Sequence, residues 1–184
     1  EPMQPYTPKS ATILIVEDDA TSAYLIRTSL SKAGYTNIEI AESGQETLKK
    51  AKTIVYDLVL LDLFLPDFDG YQICKELKKI PSYNEVPFIM ISGVKEQDEK
   101  IHALSIGIED FLSKPFHEKE FLIKVNRAIH RRYTLEQTRL EKNELNVLSR
   151  ILSVNYSEKS IEEILDAITV EVTALFQSDR STIF

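Results

Sequence analysis

The chain has 184 residues, a formal net charge of −7 and one cysteine. An acidic chain has no electrostatic footprint for nucleic acid, and no apolar stretch approaches the roughly 18 residues that span a bilayer, so a soluble protein without nucleic-acid or membrane contact is predicted. A single thiol, Cys74, excludes an intrachain disulfide framework and fits a reducing cytoplasm.

Residues 1–10 carry three prolines and read as a flexible leader. Thr12 to Val16 is a first apolar strand. Ala23, Ile26, Leu30 and Ala33 recur at steps of three and four, which predicts a helix from Ala20 to Ala33 stopped by Gly34. Asn37 to Ala41 is a short second strand. Ser43 and Glu46 have capping-box spacing and open a helix to about Lys52. Asp57 to Asp62 is a third strand whose unbroken run, Leu58-Val59-Leu60-Leu61, suits burial on both faces of a parallel sheet. A helix over Gly70 to Lys79 turns Ile73, Cys74 and Leu77 inward. Pro87 to Ser92 is the fourth strand, Lys95 to Ile106 a helix closed by Gly107, and Ile108 to Ser113 a weaker fifth strand. A long helix begins after Pro115. Strands alternating with helices of this length imply βαβ units and a doubly wound parallel α/β sheet over residues 11–131.

On that frame Glu17, Asp18 and Asp19 follow the first strand, Asp62 ends the third, Ser92 ends the fourth and Lys114 follows the fifth. All lie on the carboxyl edge of the sheet, where open α/β folds place their chemistry. Parallel strands are about 5 Å apart, so these residues share one pocket. Carboxylates held that close repel each other and favour a hard divalent cation with oxygen ligands, Mg²⁺ or in its place Mn²⁺. A hydroxyl at Ser92 and an ammonium at Lys114, both facing Asp62, suit a phosphoryl group carried on its carboxylate.

The set Ile13-Leu14-Ile15-Val16-Glu17-Asp18, Asp62 with Pro66 and Gly70, Ser92-Gly93 and Lys114-Pro115-Phe116 resembles the receiver domain of two-component response regulators. The resemblance implies a flavodoxin-like (βα)₅ fold with strand order 2-1-3-4-5. It also implies that a histidine kinase or phosphotransfer protein phosphorylates Asp62. By the same carry-over Asp18, Asp62 and the backbone carbonyl of Phe64 bind Mg²⁺ directly, and Glu17 acts through water. Ser92 takes a phosphoryl oxygen, Lys114 pairs with the phosphoryl group beside a cis peptide to Pro115, and Phe111 is the switch aromatic that moves inward with Ser92. Such a domain is a regulator, not an enzyme beyond its own phosphoryl transfer and dephosphorylation.

Two positions depart from the commonest pattern. Glu17 stands where Asp is frequent and adds a methylene to the water-mediated contact. Phe111 replaces a tyrosine, so the switch works by packing alone. Asp67 and Asp69 read as loop structure; with Gly70 and Glu76 they imitate a calcium loop, but its first ligand position is Leu65. Haloacid-dehalogenase-type phosphatases also use an Asp after a strand, yet carry a second Asp where Phe64 stands. His102, His117 and His130 have no metal-ligand spacing and read as surface or cap residues.

From Glu118 to about Leu152 the helical pattern runs without Gly or Pro. Residues 132–156 therefore read as a helical connector. Tyr133, Leu140, Val147 and Val154 recur at seven, which suggests a coiled coil in a parallel homodimer, with Asn143 fixing register. A second phase runs through Leu145, Leu148 and Leu152. Residues 157–184 form an amphipathic helix followed by Asp179-Arg180 and an apolar strand start, and resemble the opening of GAF domains. That resemblance implies a piece of a longer protein, with the receiver regulating a C-terminal output domain.

Overall fold

The computed structural model describes residues 8–93 and 107–153, together with residues 166, 169 and 170. The helix expected over 95–106 and, those three residues aside, the GAF-like stretch 157–184 lie outside the described residues.

Five strands form one parallel sheet: β1 (Ile13–Val16), β2 (Ile38–Ala41), β3 (Leu58–Asp62), β4 (Phe88–Ser92) and β5 (Asp110–Ser113), in the spatial order β2-β1-β3-β4-β5. Among the described residues the α-helices with full bounds are α1 (Ala20–Lys32), α2 (Gly44–Lys50), α3 (Gly70–Lys78) and α4 (Glu118–Ser153). Every residue of β1, β3 and β4 is buried. Alternation along a strand sends successive side chains to opposite faces, and two cores result. Leu14, Val16, Val59, Leu61 and Met90 pack with Ile73, Cys74 and Leu77 of α3. On the other face Ile13, Ile15, Leu60 and Ile91 pack with Ile26 and Leu30 of α1 and Phe121, Val125 and Ile129 of α4. The apolar runs in the sequence are thus the signature of a sheet covered on both sides.

Three local expectations change. The leader's last residues, Pro8–Ser10, form a 3₁₀ turn. Lys9 sets its ammonium 4.1 Å from the Tyr35 ring centroid, and Asn37 donates to the Ser10 carbonyl at 2.9 Å, so this end is tied down. Ser43 does cap α2, but the Glu46 carboxylate accepts from the Glu42 N–H rather than closing a box on Ser43. Asp69 caps α3 in a full capping box with Gln72.

The chain divides into two units between Thr134 and Leu135, within α4. The first holds the sheet. In the second, Arg139 pairs with Glu136 one turn away, and Leu135, Leu140 and Leu145 are exposed. No helix among the described residues is long and apolar enough to cross a membrane.

Candidate functional site at the carboxyl edge of the sheet

Parallel strands bring their carboxyl ends to one edge, and the register Val16↔Leu61, Asp62↔Ile91 and Ser92↔Ser113 aligns them there. Asp62 is the last residue of β3 and is 8% exposed. Its Oδ1 accepts from the Phe64 N–H at 2.9 Å, and its Oδ2 accepts from Lys114 Nζ at 2.6 Å. The same ammonium reaches Glu17 Oε2 at 2.6 Å. Lys114 therefore bridges the two acids across the ends of three strands. Its own N–H donates to the Ser92 carbonyl at 2.6 Å, and the Lys114–Pro115 peptide is cis, as expected. Ser92 is fully buried at the end of β4.

Burial dominates the electrostatics. It pushes the Glu17 carboxyl up to about 6; the Lys114 bond pulls the other way, and the charge of Asp62 adds to the rise. Burial works against the Lys114 ammonium, but its bonds to Asp62 and Glu17 outweigh that and hold it above the ordinary lysine range.

The other expected residues are dispersed around this triad. Asp18 is exposed beside Glu17. Phe64 has its side chain 60% exposed and its backbone against Asp62. Phe111 is half-buried on the core face that holds Val16, Leu61 and Met90. Asp19, adjacent in sequence, caps α1 by accepting from the Ser22 N–H at 2.7 Å. His117 and His130 are exposed; His102 lies outside the described residues.

Carboxylates of Glu17, Asp18 and Asp62 and a carbonyl at Phe64 are the hard oxygen donors that Mg²⁺ takes. Burial first, and the charge of Asp62 after it, raise the Glu17 carboxyl against the pull of Lys114, and the oxygen chemistry of the donor set fits such a cation. Among the described residues, however, no three acidic, thiol or imidazole side chains converge into a group ready to hold a metal. Lys114 occupies the space between the two buried acids.

Gly70 explains how α3 starts so close to the site. A Cβ there would lie 2.6 Å from the Asp62 carbonyl oxygen and 3.0 Å from Met90 Sδ, so only glycine lets the chain pass. A groove of about 480 Å³, lined by Ser22, Leu25, Ile26, Ser29, Pro115 and Phe116, opens beside Lys114.

A flavodoxin-like sheet with a buried strand-end aspartate bridged to a lysine from the last strand defines a receiver of phosphorelay type. Residues 13–126 match the response regulator receiver domain, and the chain belongs to that family. It is 34% identical over 119 residues to the alkaline phosphatase synthesis transcriptional regulatory protein PhoP of Bacillus subtilis, a match covering 65% of this chain and 48% of that protein. The chain spans about half the length of the curated relatives it matches. A CheY-like response regulator receiver domain protein from Methanospirillum hungatei superposes with a TM-score of 0.63 at 26% identity, over 68% of this chain and 98% of that one. The non-phosphorylated HemR receiver domain from Leptospira biflexa gives 0.60 at 32% identity, over 65% and 94% respectively. Receiver domains are regulatory signalling domains.

Proposed function

We propose that this chain is a phosphoacceptor switch in which Asp62 takes a phosphoryl group from a histidine kinase or phosphotransfer protein and, through α4, regulates a C-terminal output domain. The observation that carries the reading is the Asp62 carboxylate, buried at a strand end with the Lys114 ammonium 2.6 Å from its Oδ2. An Asp62 oxygen attacks phosphorus, the phosphorus–nitrogen bond of the donor phosphohistidine breaks, and its electron pair stays on the imidazole. Water later returns the acyl phosphate to carboxylate and inorganic phosphate. Asp18, Asp62 and the Phe64 carbonyl would hold Mg²⁺, with Glu17 contributing through water. When bound, such an ion neutralises charge on the transferring oxygens.

Lys114 then exchanges a carboxylate partner for a phosphoryl oxygen, and the Ser92 hydroxyl supplies a second donor. Both changes reach β5, where Phe111 sits three residues before Lys114 and packs on the core. The phosphorylated arrangement is favoured by these new contacts, a shift in population between two packings. Exposed Leu25, with Pro115 and Phe116 in the groove at Lys114, offers a protein donor an apolar foothold near the carboxylate. Leu140, exposed on the connector, lies in the seven-residue phase with Tyr133 and Val147 that would form the seam of a parallel coiled coil with a second copy.

Incubation with Mg²⁺ and acetyl phosphate, followed by intact mass of the wild type and Asp62→Ala, tests the reading. One phosphoryl adduct on the wild type and none on the variant is expected. Rapid multiple turnover without an adduct would indicate a phosphohydrolase, and no reaction at all a scaffold.

A further inference from the structure

The loop 63–69 joins β3 to α3 and is held at its far side by a residue with no contact to the acidic pocket. Helix α2 is only seven residues long, too short to be stable alone, and its first N–H groups have no intrahelical acceptor. Ser43 Oγ accepts one of them, from Glu46, at 3.2 Å. The next two, from Gly44 and Gln45, donate to Asp67 Oδ1 and Oδ2 at 2.8 and 2.9 Å. What burial Asp67 has raises its pKa, but backbone bonds from Gln45, Gly44, Asp67 and Phe68 together lower it, so the carboxylate stays charged at the positive end of the helix. Gly44 makes room for the neighbouring Phe68, whose ring lies 2.6 Å from where a Cβ would stand. At the near side of the loop, Phe64 N–H bonds the Asp62 carboxylate, Phe64 bridges to Asp69, and Gly70 N–H donates to the Leu63 carbonyl at 2.8 Å. The Phe64 peptide is thus held between two anchored ends.

We infer that Asp67 is a positioning residue for the phosphoacceptor site: its paired bonds to α2 hold the 63–69 loop so that the Phe64 peptide stays against Asp62. The inference rests on the reading of Asp18, Asp62 and the Phe64 carbonyl as the Mg²⁺ site. Ser43 provides the control, because it caps the same helix end without touching the loop.

Three variants of the full chain, Asp67→Ala, Asp67→Asn and Ser43→Ala, are titrated with Mg²⁺ by calorimetry, and Phe64 amide exchange is followed by NMR. Both alanine variants lower the thermal midpoint by loss of a cap. Only Asp67→Ala weakens Mg²⁺ binding, by roughly tenfold, the scale of an outer partner of a metal ligand, and speeds Phe64 exchange. Asp67→Asn, which keeps one acceptor oxygen, falls between and serves where the alanine variant does not fold. Unchanged Mg²⁺ affinity and Phe64 exchange in the Asp67 variants overturn the inference and leave Asp67 a helix cap. Absence of Mg²⁺ binding in the wild type instead sinks the metal reading, and Phe64 exchange alone then decides the role of Asp67.

Discussion

Folding places the Glu17 charge at a disadvantage. Glu17 is buried, faces Asp62 across Lys114, and its carboxyl is pushed up to about 6 from an ordinary 4.5. A carboxyl raised by folding binds its proton more tightly in the native state than in the unfolded chain. Between about pH 4.5 and 6 the native state therefore holds the extra proton, and stability from this group rises as pH falls through that window. The gain is about 2 kcal/mol on the usual conversion. Glu17→Gln keeps the shape and removes the titration. The wild type is expected to gain about 2 kcal/mol over Glu17→Gln between pH 7 and 4.5, read from urea midpoints. A gap that stays constant or shrinks on acidification would show that folding does not raise this carboxyl.

Elements were legible where one residue type repeats along one strand or helix. The runs at Leu58–Leu61 and Phe88–Ile91 read as strands buried on both faces and are so, and Ala23, Ile26 and Leu30 do form the buried face of α1. The Asp69 and Gln72 capping box had its spacing in the sequence and could have been read there. Asp67 could not, because its partners, Gly44 and Gln45, are over twenty residues away and meet it only once the sheet has formed. The anchoring of α4 was equally hidden. Lys124 and Arg127 both pair with Asp110 of β5, and Arg131 with Glu109 just before it, so cations one turn apart face consecutive acids at the start of the edge strand. Asp110 and Lys124 are mostly buried, which makes this pair worth more than an ordinary surface bridge. Asp110→Asn is expected to cost about 1–2 kcal/mol, partly by leaving Lys124 without its counter-charge. That cost should shrink between low salt and about 1 M salt, where exposed charges such as Arg127 are screened. A cost independent of salt would mean that the screened pairs with Arg127 contribute nothing and that the mostly buried Lys124 pair carries the whole effect.

At the scale of the whole molecule, strand order and the carboxyl-edge pocket followed from alternation and from strand-end residues that resemble a receiver. The Lys114 bridge between Glu17 and Asp62 is a distance, which no spacing in a sequence conveys. The two cores have a further consequence at high pH. Cys74 is pushed up to about 11 and Tyr83 to about 12, both first by burial, and burial also raises Tyr35 and Tyr56. Above the ordinary thiol and phenol values the unfolded chain releases these protons and the native state keeps them, so stability falls as pH rises. Lys50 and Lys114, raised by their carboxylate partners against the effect of burial, lose their contribution in the same direction; Lys78, lowered by burial, opposes them. Each unit of pKa is worth about 1.4 kcal/mol, and a domain holds only about 5–15. Cooperative alkaline unfolding between about pH 10 and 12 is therefore expected. Tyrosinate absorbance and far-ultraviolet circular dichroism followed together check it. Tyr35, Tyr56 and Tyr83 should ionise in one step that coincides with loss of the helix signal. Independent titration of Tyr35, Tyr56 and Tyr83 near the ordinary phenol value, with secondary structure unchanged, would mean that the buried phenols reach solvent without unfolding and that the two cores do not hold the sheet as one cooperative unit.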